Sequence, residues 1–479
     1  MVSRTGIRLS RHTLPELSTR ADVPRYDLSD VTVGQVHLGL GGFHRAHQAL
    51  CTDTALRADT RWGISAYTWR NTALPARLTD QDGLFSVLTS DRDSAEVRVL
   101  GAIQAARCAG TDANRFREEV AAATTSIVTL TVTEKAYPTT TDGALDFGHP
   151  AVAADLASGS PRESVIGLLT SALAERAHNH GGPITILSCD NLRGNGSLIR
   201  RLVTGFAEAH PGYRQKGLSR WLADYATFPA TVVDRIVPDP DQAVVDRVDQ
   251  LTGIHDRAAV LTEPYLQWII EDDFAGPRPA WELAGARFVD NVEPFEDLKL
   301  RVLNGAHTAL AYLGLLAGHH DVRAAIADPA IAEFISVLLA EEVLPMLPPV
   351  DTDVAAYAQS VLKRFANPSV SYSLDKLAAD GTQKLPQRLA PTAQALRAEG
   401  RPARHIARVW ASWAHWILRC ADQRPDRLRD PLAPRLIAIA ESADSAGFAI
   451  QLLKLTAPDL LWDNEFRRSV IEQTATDLL

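Results

Sequence analysis

The sequence predicts an α/β protein in which a doubly wound domain precedes a mostly α-helical domain. In the first half, short β-branched or apolar runs alternate with helical stretches, which is typical of a parallel sheet with helices on both faces. From about residue 296 onward, Ala- and Leu-rich periodic segments predominate and few β-branched runs remain. Gly-Pro-Arg-Pro near residue 276 interrupts the pattern. We therefore predict domains at residues 1–285 and 286–479.

Hydrophobic periodicity supplies the individual elements of both domains. Predicted strands of the sheet are residues 36–38, 63–68, 127–133 and 184–187, with helices at 45–57 and 163–177. In the second domain the predicted helices are residues 298–317, 331–344, 405–421 and 431–441.

Composition excludes several classes of protein. The 479 residues carry 49 Lys and Arg against 58 Asp and Glu, and this net charge of −9 argues against partners such as nucleic acid or anionic membranes. The first thirty residues are polar, and no run of 18 uncharged apolar residues occurs, so we expect a cytoplasmic protein without a membrane span. The four cysteines form no CxxC pair and the histidines no HExxH motif, which predicts neither disulfides nor a catalytic metal.

A glycine-rich turn follows the first predicted strand. Gly39, Gly41 and Gly42 lie between this strand and a predicted helix, an arrangement that lets backbone N–H groups approach a pyrophosphate. His44 occupies the position of the usual third glycine, and an ordinary tight turn explains the same residues. After the second strand no acid occurs before Asp80, and Arg70 either contacts a 2′-phosphate or is a solvated cation. The choice between NAD and NADP therefore stays open.

The most informative segment is residues 296–307. On a helical wheel with Lys299 at zero and about 100° per residue, Asn304 lies at ~140° and His307 at ~80°. All three residues therefore lie on one arc of a largely apolar helix. Burial favours the neutral form of a lysine, which then acts as a general base on an alcohol. Asn304 and His307 could donate hydrogen bonds to the oxygen that becomes a carbonyl. Glu296 either relays protons or is a first-turn acid, and a snorkelling lysine beside a structural histidine fits the same pattern.

Further polar groups follow predicted strands or lie in the helical half. Ser-Cys-Asp-Asn at 188–191 and Thr-Glu-Lys at 133–135 are placed where carboxyl strand ends face a ligand crevice, although turns use the same residues. Lys376, Lys384 and Arg388 either receive an anionic or polyhydroxylated substrate or form a solvated face.

Together these motifs resemble the mannitol dehydrogenase family, the polyol-specific long-chain dehydrogenases that include fructuronate reductase. The resemblance runs from about residue 30 to beyond 420. The matching segments are GLGGFHRAHQA at 39–49, TVTEK at 131–135, SCDN at 188–191, VDRI at 233–236, IED at 270–272 and KLRVLNGAH at 299–307.

The resemblance implies a Rossmann-type N-terminal domain, a helical C-terminal domain, a substrate cleft between them, and zinc-independent, monomeric enzymes using NAD or NADP. The implied catalytic residues are Lys299 as base, Asn191 and Asn304 as oxyanion donors, His307 at the substrate, and Glu296 as proton relay. Implied cofactor contacts are Gly39, Gly41, Gly42, Phe43, Arg70, Glu134 and Asn191. Implied substrate contacts are Asp234, Lys384, Arg388 and Lys376, where Lys replaces the family's Arg.

The implied reaction interconverts an open-chain aldonate or polyol and its keto form at C2. Residues 381–389 resemble the fructuronate reductases, and Arg388 would suit a hexuronate carboxylate, which favours D-mannonate and D-fructuronate. Residues 371–373 lack the basic stretch of those enzymes. The alternatives are a mannitol 2-dehydrogenase or another polyol dehydrogenase such as an arabinitol dehydrogenase. From a different class, a non-catalytic nucleotide-dependent sugar sensor would need no base.

Overall fold

The computed structural model describes residues 7–140, 142–239, 241–370 and 372–476, so Ser371 lies outside the described residues. The chain divides into two compact units, unit 1 at Met1–Val292 and unit 2 at Glu293–Leu479. The sequence placed a domain boundary after residue 285, before the strand that ends at Val289 in unit 1. No helix among the described residues is long and apolar enough to cross a membrane.

Unit 1 contains strands and helices in alternation. The strands are β1 Ile7–Arg8, β2 Val33–Leu38, β3 Gly63–Thr68, β4 Phe85–Ser90, β5 Ala95–Leu100, β6 Ile103–Cys108, β7 Ile127–Leu130, β8 Ile184–Ser188, β9 Ala226–Thr227, β10 Thr231–Asp234, β11 Ile254–His255, β12 Val260–Thr262, β13 Gln267–Glu271 and β14 Arg287–Val289. The helices are α1 Leu14–Leu17, α2 Gly42–Ala46, α3 Gln48–Ala55, α4 Ala73–Thr79, α5 Ala109–Ala121, α6 Pro150–Leu156, α7 Val165–His178, α8 Asn195–Ala209, α9 Pro211–Gln215, α10 Leu218–Tyr225 and α11 Gln242–Thr252.

The central sheet of unit 1 is parallel, with the strand order β6-β3-β2-β7-β8-β9. If the six strands of this sheet are numbered 1 to 6 in chain order, their spatial order is 3-2-1-4-5-6, which is that of the Rossmann fold. In this fold the ligand crevice lies at the carboxyl ends of the strands, at the point where the order reverses. Successive residues of a strand face opposite sides of the sheet. On one side Ile186 packs in an apolar cluster with residues of α5, α7 and α8, and on the opposite side Leu187 packs in a second cluster with residues of α3. The predicted doubly wound class is therefore confirmed.

Smaller sheets extend unit 1. Their strand orders are β12-β4-β5, β10-β13-β14 and β1-β11. Strand β10 pairs antiparallel with β13, and Asp234 is the last residue of β10, opposite Gln267. The second of these sheets thus fixes the backbone of a predicted substrate residue.

Unit 2 is helical, as predicted. Its helices are α12 Glu293–Leu298, α13 Gly305–Leu316, α14 Val322–Ala327, α15 Pro329–Val337, α16 Val354–Phe365, α17 Leu374–Ala378, α18 Gly381–Arg388, α19 Ala390–Ala398, α20 Arg404–Gln423, α21 Ala433–Ser442, α22 Ser445–Thr456 and α23 Asn464–Ala475. Two π-helical segments, Lys299–Asn304 and Leu338–Val343, follow α12 and α15. Apolar residues of α13, such as Leu310, and of α20, such as Trp413, are fully or almost fully buried.

Four predicted elements differ clearly from the structure. The strand predicted at 127–133 ends at Leu130, because the Asp190 carboxylate takes the N–H groups of Val132 and Thr133. The helix predicted at 45–57 breaks at His47, whose backbone is non-helical. The helices predicted at 298–317 and 331–344 each include a π segment, so neither is a continuous α-helix.

Candidate active site

The glycine turn closes β2 at the reversal point of the sheet. Gly39 has φ +114°, and a Cβ there would lie 2.2 Å from the Thr131 carbonyl oxygen, so only glycine fits. The Thr131 hydroxyl donates to the Gly39 carbonyl at 2.9 Å. His37 supports this contact from below, with Nδ1 2.8 Å from the Thr129 hydroxyl and Nε2 3.1 Å from the Thr131 hydroxyl. These three hydrogen bonds form a series with one consistent set of donors. The Thr129 hydroxyl donates to Nδ1 of neutral His37, its Nε2–H donates to the Thr131 hydroxyl, and that hydroxyl donates to the Gly39 carbonyl.

Two buried histidines lie beneath this turn. Burial lowers the pKa of His37 to about 3, and it lowers that of His44 well below its ordinary value. The two rings stack with centroids 3.4 Å apart, which two imidazolium ions could not tolerate. His44, the residue that departs from the usual glycine pattern, is therefore an uncharged packing group.

The turn has the shape that a dinucleotide pyrophosphate needs. Gly41 is the extended N-cap of α2, and a Cβ there would meet only the Gly39 carbonyl oxygen, at 3.6 Å. The N–H groups of the first helical turn, which includes Gly42 and the half-buried Phe43, have no partners within the helix. Arg70 is exposed just beyond β3. These residues fit a dinucleotide cofactor.

One buried carboxylate organises the next two strand ends. Asp190 accepts hydrogen bonds from the Val132 N–H at 3.2 Å, the Thr133 N–H at 2.7 Å and the Tyr137 hydroxyl. Burial raises the pKa of Asp190. Thr133, at φ +72°, turns the chain into the short helix that begins with exposed Glu134. Asp190 thereby holds the loop before Glu134 beside the exposed Asn191.

Asn195, which the sequence reasoning missed, connects the Asn191 turn to β10. Its fully buried amide nitrogen donates to the carbonyls of Asp190 at 3.1 Å and Thr231 at 3.0 Å, and its oxygen accepts from the Thr231 N–H at 3.0 Å. Strand β10 is thus fixed three residues before the buried Asp234. The available signal was a polar residue on the apolar face of α8, one turn before Ile199.

In unit 2, the π segment carries the predicted base. Lys299, Asn304 and His307 are all buried, and Glu296 is buried one turn before Lys299. The Gly305 N–H donates to the carbonyl of Leu300, five residues back, which defines the π geometry. The angular positions predicted for a regular α-helix are therefore wrong in this segment, because the π turn holds an extra residue.

His307 lies among cations. Burial lowers its pKa well below the ordinary value, and the charges of Arg388, Arg364, Lys299 and Lys384 act in the same direction. Its Nε2 and the Tyr372 hydroxyl are hydrogen-bonded. His307 is therefore a neutral hydrogen-bonding group. 

The sequence reasoning missed Arg364 and Tyr372. Arg364 is buried, with only 7% of its surface exposed, in the last turn of α16. A cation in a last helical turn is ordinary in sequence, so only the tertiary packing distinguishes it. The Phe365 ring next to it packs 4.3 Å from that of His307.

Arg388 and Lys384 approach the π segment from α18. Arg388 Nη1 donates to the Asn304 carbonyl at 3.2 Å and to the Thr308 hydroxyl at 2.9 Å. Lys384 Nζ donates to the Leu377 carbonyl at 3.1 Å. The side-chain nitrogen of Asn304 is buried and has no hydrogen-bond partner among the described residues, so it can donate to a substrate oxygen. Lys376 is exposed on α17, and it is not among the cations that act on His307.

A Rossmann sheet with a glycine turn at the point where its strand order reverses is typical of nicotinamide-dependent oxidoreductases. Within the described residues, no three His, Cys, Asp or Glu side chains form a group that could hold a metal ion. Residues 33–283 match the mannitol dehydrogenase Rossmann domain, and residues 291–476 match the mannitol dehydrogenase C-terminal domain. The chain belongs to the mannitol dehydrogenase family.

Full-length relatives agree with this assignment. D-mannonate oxidoreductase of Escherichia coli is 37% identical over 82% of this chain and 82% of its own length. Mannitol 2-dehydrogenase of Phaeosphaeria nodorum is 33% identical over 96% of this chain and 82% of its own. The structure of Pseudomonas fluorescens mannitol 2-dehydrogenase in ternary complex with NAD and D-mannitol matches with a TM-score of 0.84 and 32% identity, covering 98% of this chain and 96% of that one.

These matches confirm the resemblance predicted from the motifs. The chain is an NAD(P)-dependent oxidoreductase that acts on the CH–OH groups of a polyol or aldonate.

Proposed function

We propose that the protein interconverts a D-aldonate and its 2-keto form, as in the reaction between D-mannonate and D-fructuronate. The cluster of cations around His307 supports this choice, since Lys299, Lys384, Arg364 and Arg388 all act on that histidine. A neutral polyol needs no such concentration of positive charge. A sugar carboxylate would accept charge-assisted hydrogen bonds from these groups.

In this proposal the bound nicotinamide supplies or accepts the hydride at C2. Lys299 takes the C2 hydroxyl proton during oxidation and returns it during reduction. Asn191 and the Nδ2 group of Asn304, which has no partner among the described residues, donate hydrogen bonds to the oxygen on which charge develops. Such a donor contributes a few kcal/mol in comparable sites. Glu296, buried one turn before Lys299, relays the proton to solvent.

The remaining side chains bind and orient the substrate. The Asp234 carboxylate accepts from a sugar hydroxyl, and neutral His307, oriented by Tyr372, contacts another. Arg364 and Lys384 bind the carboxylate. Arg388 also holds the Asn304 carbonyl, so it contributes to the orientation of the Asn304 amide.

The second candidate is a neutral polyol such as D-mannitol. It is supported by the similarity of nearly the whole chain to a mannitol 2-dehydrogenase structure. For the cofactor we propose that both NAD and NADP are accepted. Thr72 and Ala73 stand where an acid would hold the ribose hydroxyls of NAD, and exposed Arg70 can contact a 2′-phosphate.

A substrate panel tests the proposal. D-mannonate, D-altronate, D-mannitol, D-sorbitol and D-arabinitol are each assayed with NAD and with NADP by nicotinamide absorbance. We expect kcat/KM for D-mannonate to exceed that for D-mannitol by about ten- to a hundredfold, the value of one charge-assisted hydrogen bond. Oxidation of mannitol without any response to mannonate or altronate would establish the polyol instead. Tight cofactor binding with no turnover on the whole panel would favour a sugar sensor.

An Arg364→Met variant separates the carboxylate contact from the chemistry. We expect its kcat/KM for the aldonate to fall by about ten- to a hundredfold, with little change for a neutral polyol. Lys363→Met is the matched control, because Lys363 is exposed on the same helix.

A further inference from the structure

Unit 2 contains a cavity of about 500 Å³ whose lining includes none of the catalytic or substrate residues named above. Its walls come from α13, α15, α20 and α23. The apolar part of the lining includes Leu313, Leu316, Ile331 and Phe334. Small-molecule sites in proteins commonly have this size and a mostly apolar lining with few polar groups.

The polar part of the lining has a cationic excess. Arg404, Arg408 and Asp328 contribute two positive charges and one negative charge, a net +1. Asp328 is already engaged, because one of its oxygens accepts from the Ala330 N–H at 3.0 Å and the other contacts His319 at 3.3 Å. The hydrogen bond to His319 lowers the pKa of Asp328, which keeps it a carboxylate.

Arg408 is the side chain of this lining that is best suited to bind an anionic ligand. It is half-buried on α20, and among the described residues its guanidinium has no hydrogen bond or ion pair. A guanidinium carries five N–H donors, and those of Arg408 remain accessible, so they can bind an anionic group that enters the cavity. Arg404 is mostly exposed, and its ion pair with Glu465 is long at 3.6 Å and solvated.

The wall around Arg408 is preformed. The Glu342 carboxylate accepts from the backbone N–H groups of His405 at 2.8 Å and Ile406 at 2.9 Å, which fixes the start of α20. It also contacts His405 Nδ1 at 3.0 Å, and the His405 ring packs beside Phe334 with centroids 5.4 Å apart. A ligand therefore meets a cavity whose shape does not have to be ordered on binding.

We propose that this cavity binds a small amphiphilic monocarboxylate, with its carboxylate on Arg408 and its alkyl or aryl body on the apolar lining. A single negative charge matches the net charge of the lining, and an apolar body matches the side chains of α13 and α15. A polyhydroxylated sugar acid does not fit such a surface. This site is independent of the sugar reaction.

Isothermal titration calorimetry of the full chain tests the proposal, with octanoate as the probe. Acetate keeps the carboxylate without the apolar body, and 1-octanol keeps the body without the charge. We expect saturable one-to-one binding of octanoate and at least about tenfold weaker binding of either control compound. Failure of octanoate to bind, or equal affinity for 1-octanol, would overturn the proposal.

Variants locate the site. Arg408→Met keeps the aliphatic stem and should weaken octanoate at least about tenfold, whereas Arg408→Lys should retain part of the affinity. Arg435→Met is the matched control, since Arg435 is exposed on α21 outside the cavity. If Arg408→Met fails to fold, Ala317→Glu places a competing carboxylate at an exposed lining position and should also weaken octanoate. Unchanged affinity in the folded variants would refute the site.

Discussion

Replacing Asn195 with alanine should destabilise unit 1 and lower turnover together. The amide of Asn195 satisfies three backbone groups, which are the Asp190 carbonyl and the N–H and carbonyl of Thr231. Asn195 and Thr231 are buried almost completely. Leaving a buried polar group unpaired costs about 1–3 kcal/mol. Water can enter the space left by the amide and partly satisfy these groups, so we take the lower value of about 1 kcal/mol for each of the three backbone groups. The total loss of stability is then about 3 kcal/mol.

Thermal unfolding followed by circular dichroism measures this loss. At about 2 °C per kcal/mol for a large domain, the melting temperature should fall by at least about 6 °C. The Asn191 turn and the end of β10 at Asp234 lose their common support, so kcat should fall as well. Asn114→Ala, at an exposed site on α5, is the matched control and should change stability by no more than about 0.5 kcal/mol.

The isosteric Asn195→Asp variant separates a lost contact from a cavity. It keeps an oxygen for the Thr231 N–H but removes the hydrogen bonds donated to the Asp190 and Thr231 carbonyls and adds a buried charge. We expect it to be at least as unstable as Asn195→Ala. An alanine variant that melts within about 1 °C of the parent protein and keeps its kcat would refute the reasoning.

Three further perturbations give separate results. Lys299→Ala should reduce kcat by about 10²–10⁴-fold with cofactor binding intact, whereas Lys363→Ala should not, and steady-state kinetics with cofactor titration will decide. Gly39→Ala should abolish cofactor binding measured by nicotinamide fluorescence, because its Cβ would lie 2.2 Å from the Thr131 carbonyl oxygen. The control Gly182→Ala should keep cofactor binding, since no atom lies within 4 Å of a Cβ at that position. His37, whose pKa falls to about 3 in the folded protein, takes up a proton near pH 6.5 only when unfolded. Its contribution to the free energy of unfolding is complete above that pH and falls by about 1.4 kcal/mol from pH 7.5 to 5.5, so His37→Asn should show a shallower pH dependence in urea titrations.

Local patterns predicted the elements that depend on local physics. The sequence placed β3 at residues 63–68, which are its observed bounds, because a β-branched and aromatic run specifies a buried strand. The strand predicted at 127–133 was too long, since its last N–H groups bind a carboxylate from another loop. Hydrophobic periodicity cannot report that kind of competition.

The candidate site divides in the same way. Lys299 and His307 were predicted from one helix, and both are buried. Their relative orientation was not predictable, because apolar spacing does not distinguish a π turn from an α turn. Arg364 and Tyr372 reach His307 from other parts of unit 2, so no spacing along the chain could identify them.

The π segment from Lys299 to Asn304 changes the register between the residues before it and those after it. It holds one residue more per turn than the α-helices on either side, so the helix that follows is rotated relative to a continuous α-helix. Removing a single residue there would leave composition, apolar content and helix length almost unchanged. It would also turn His307, with the rest of α13, by about 100° relative to Lys299. In this helix the count of residues, and not only their identity, determines which side chains face the cations.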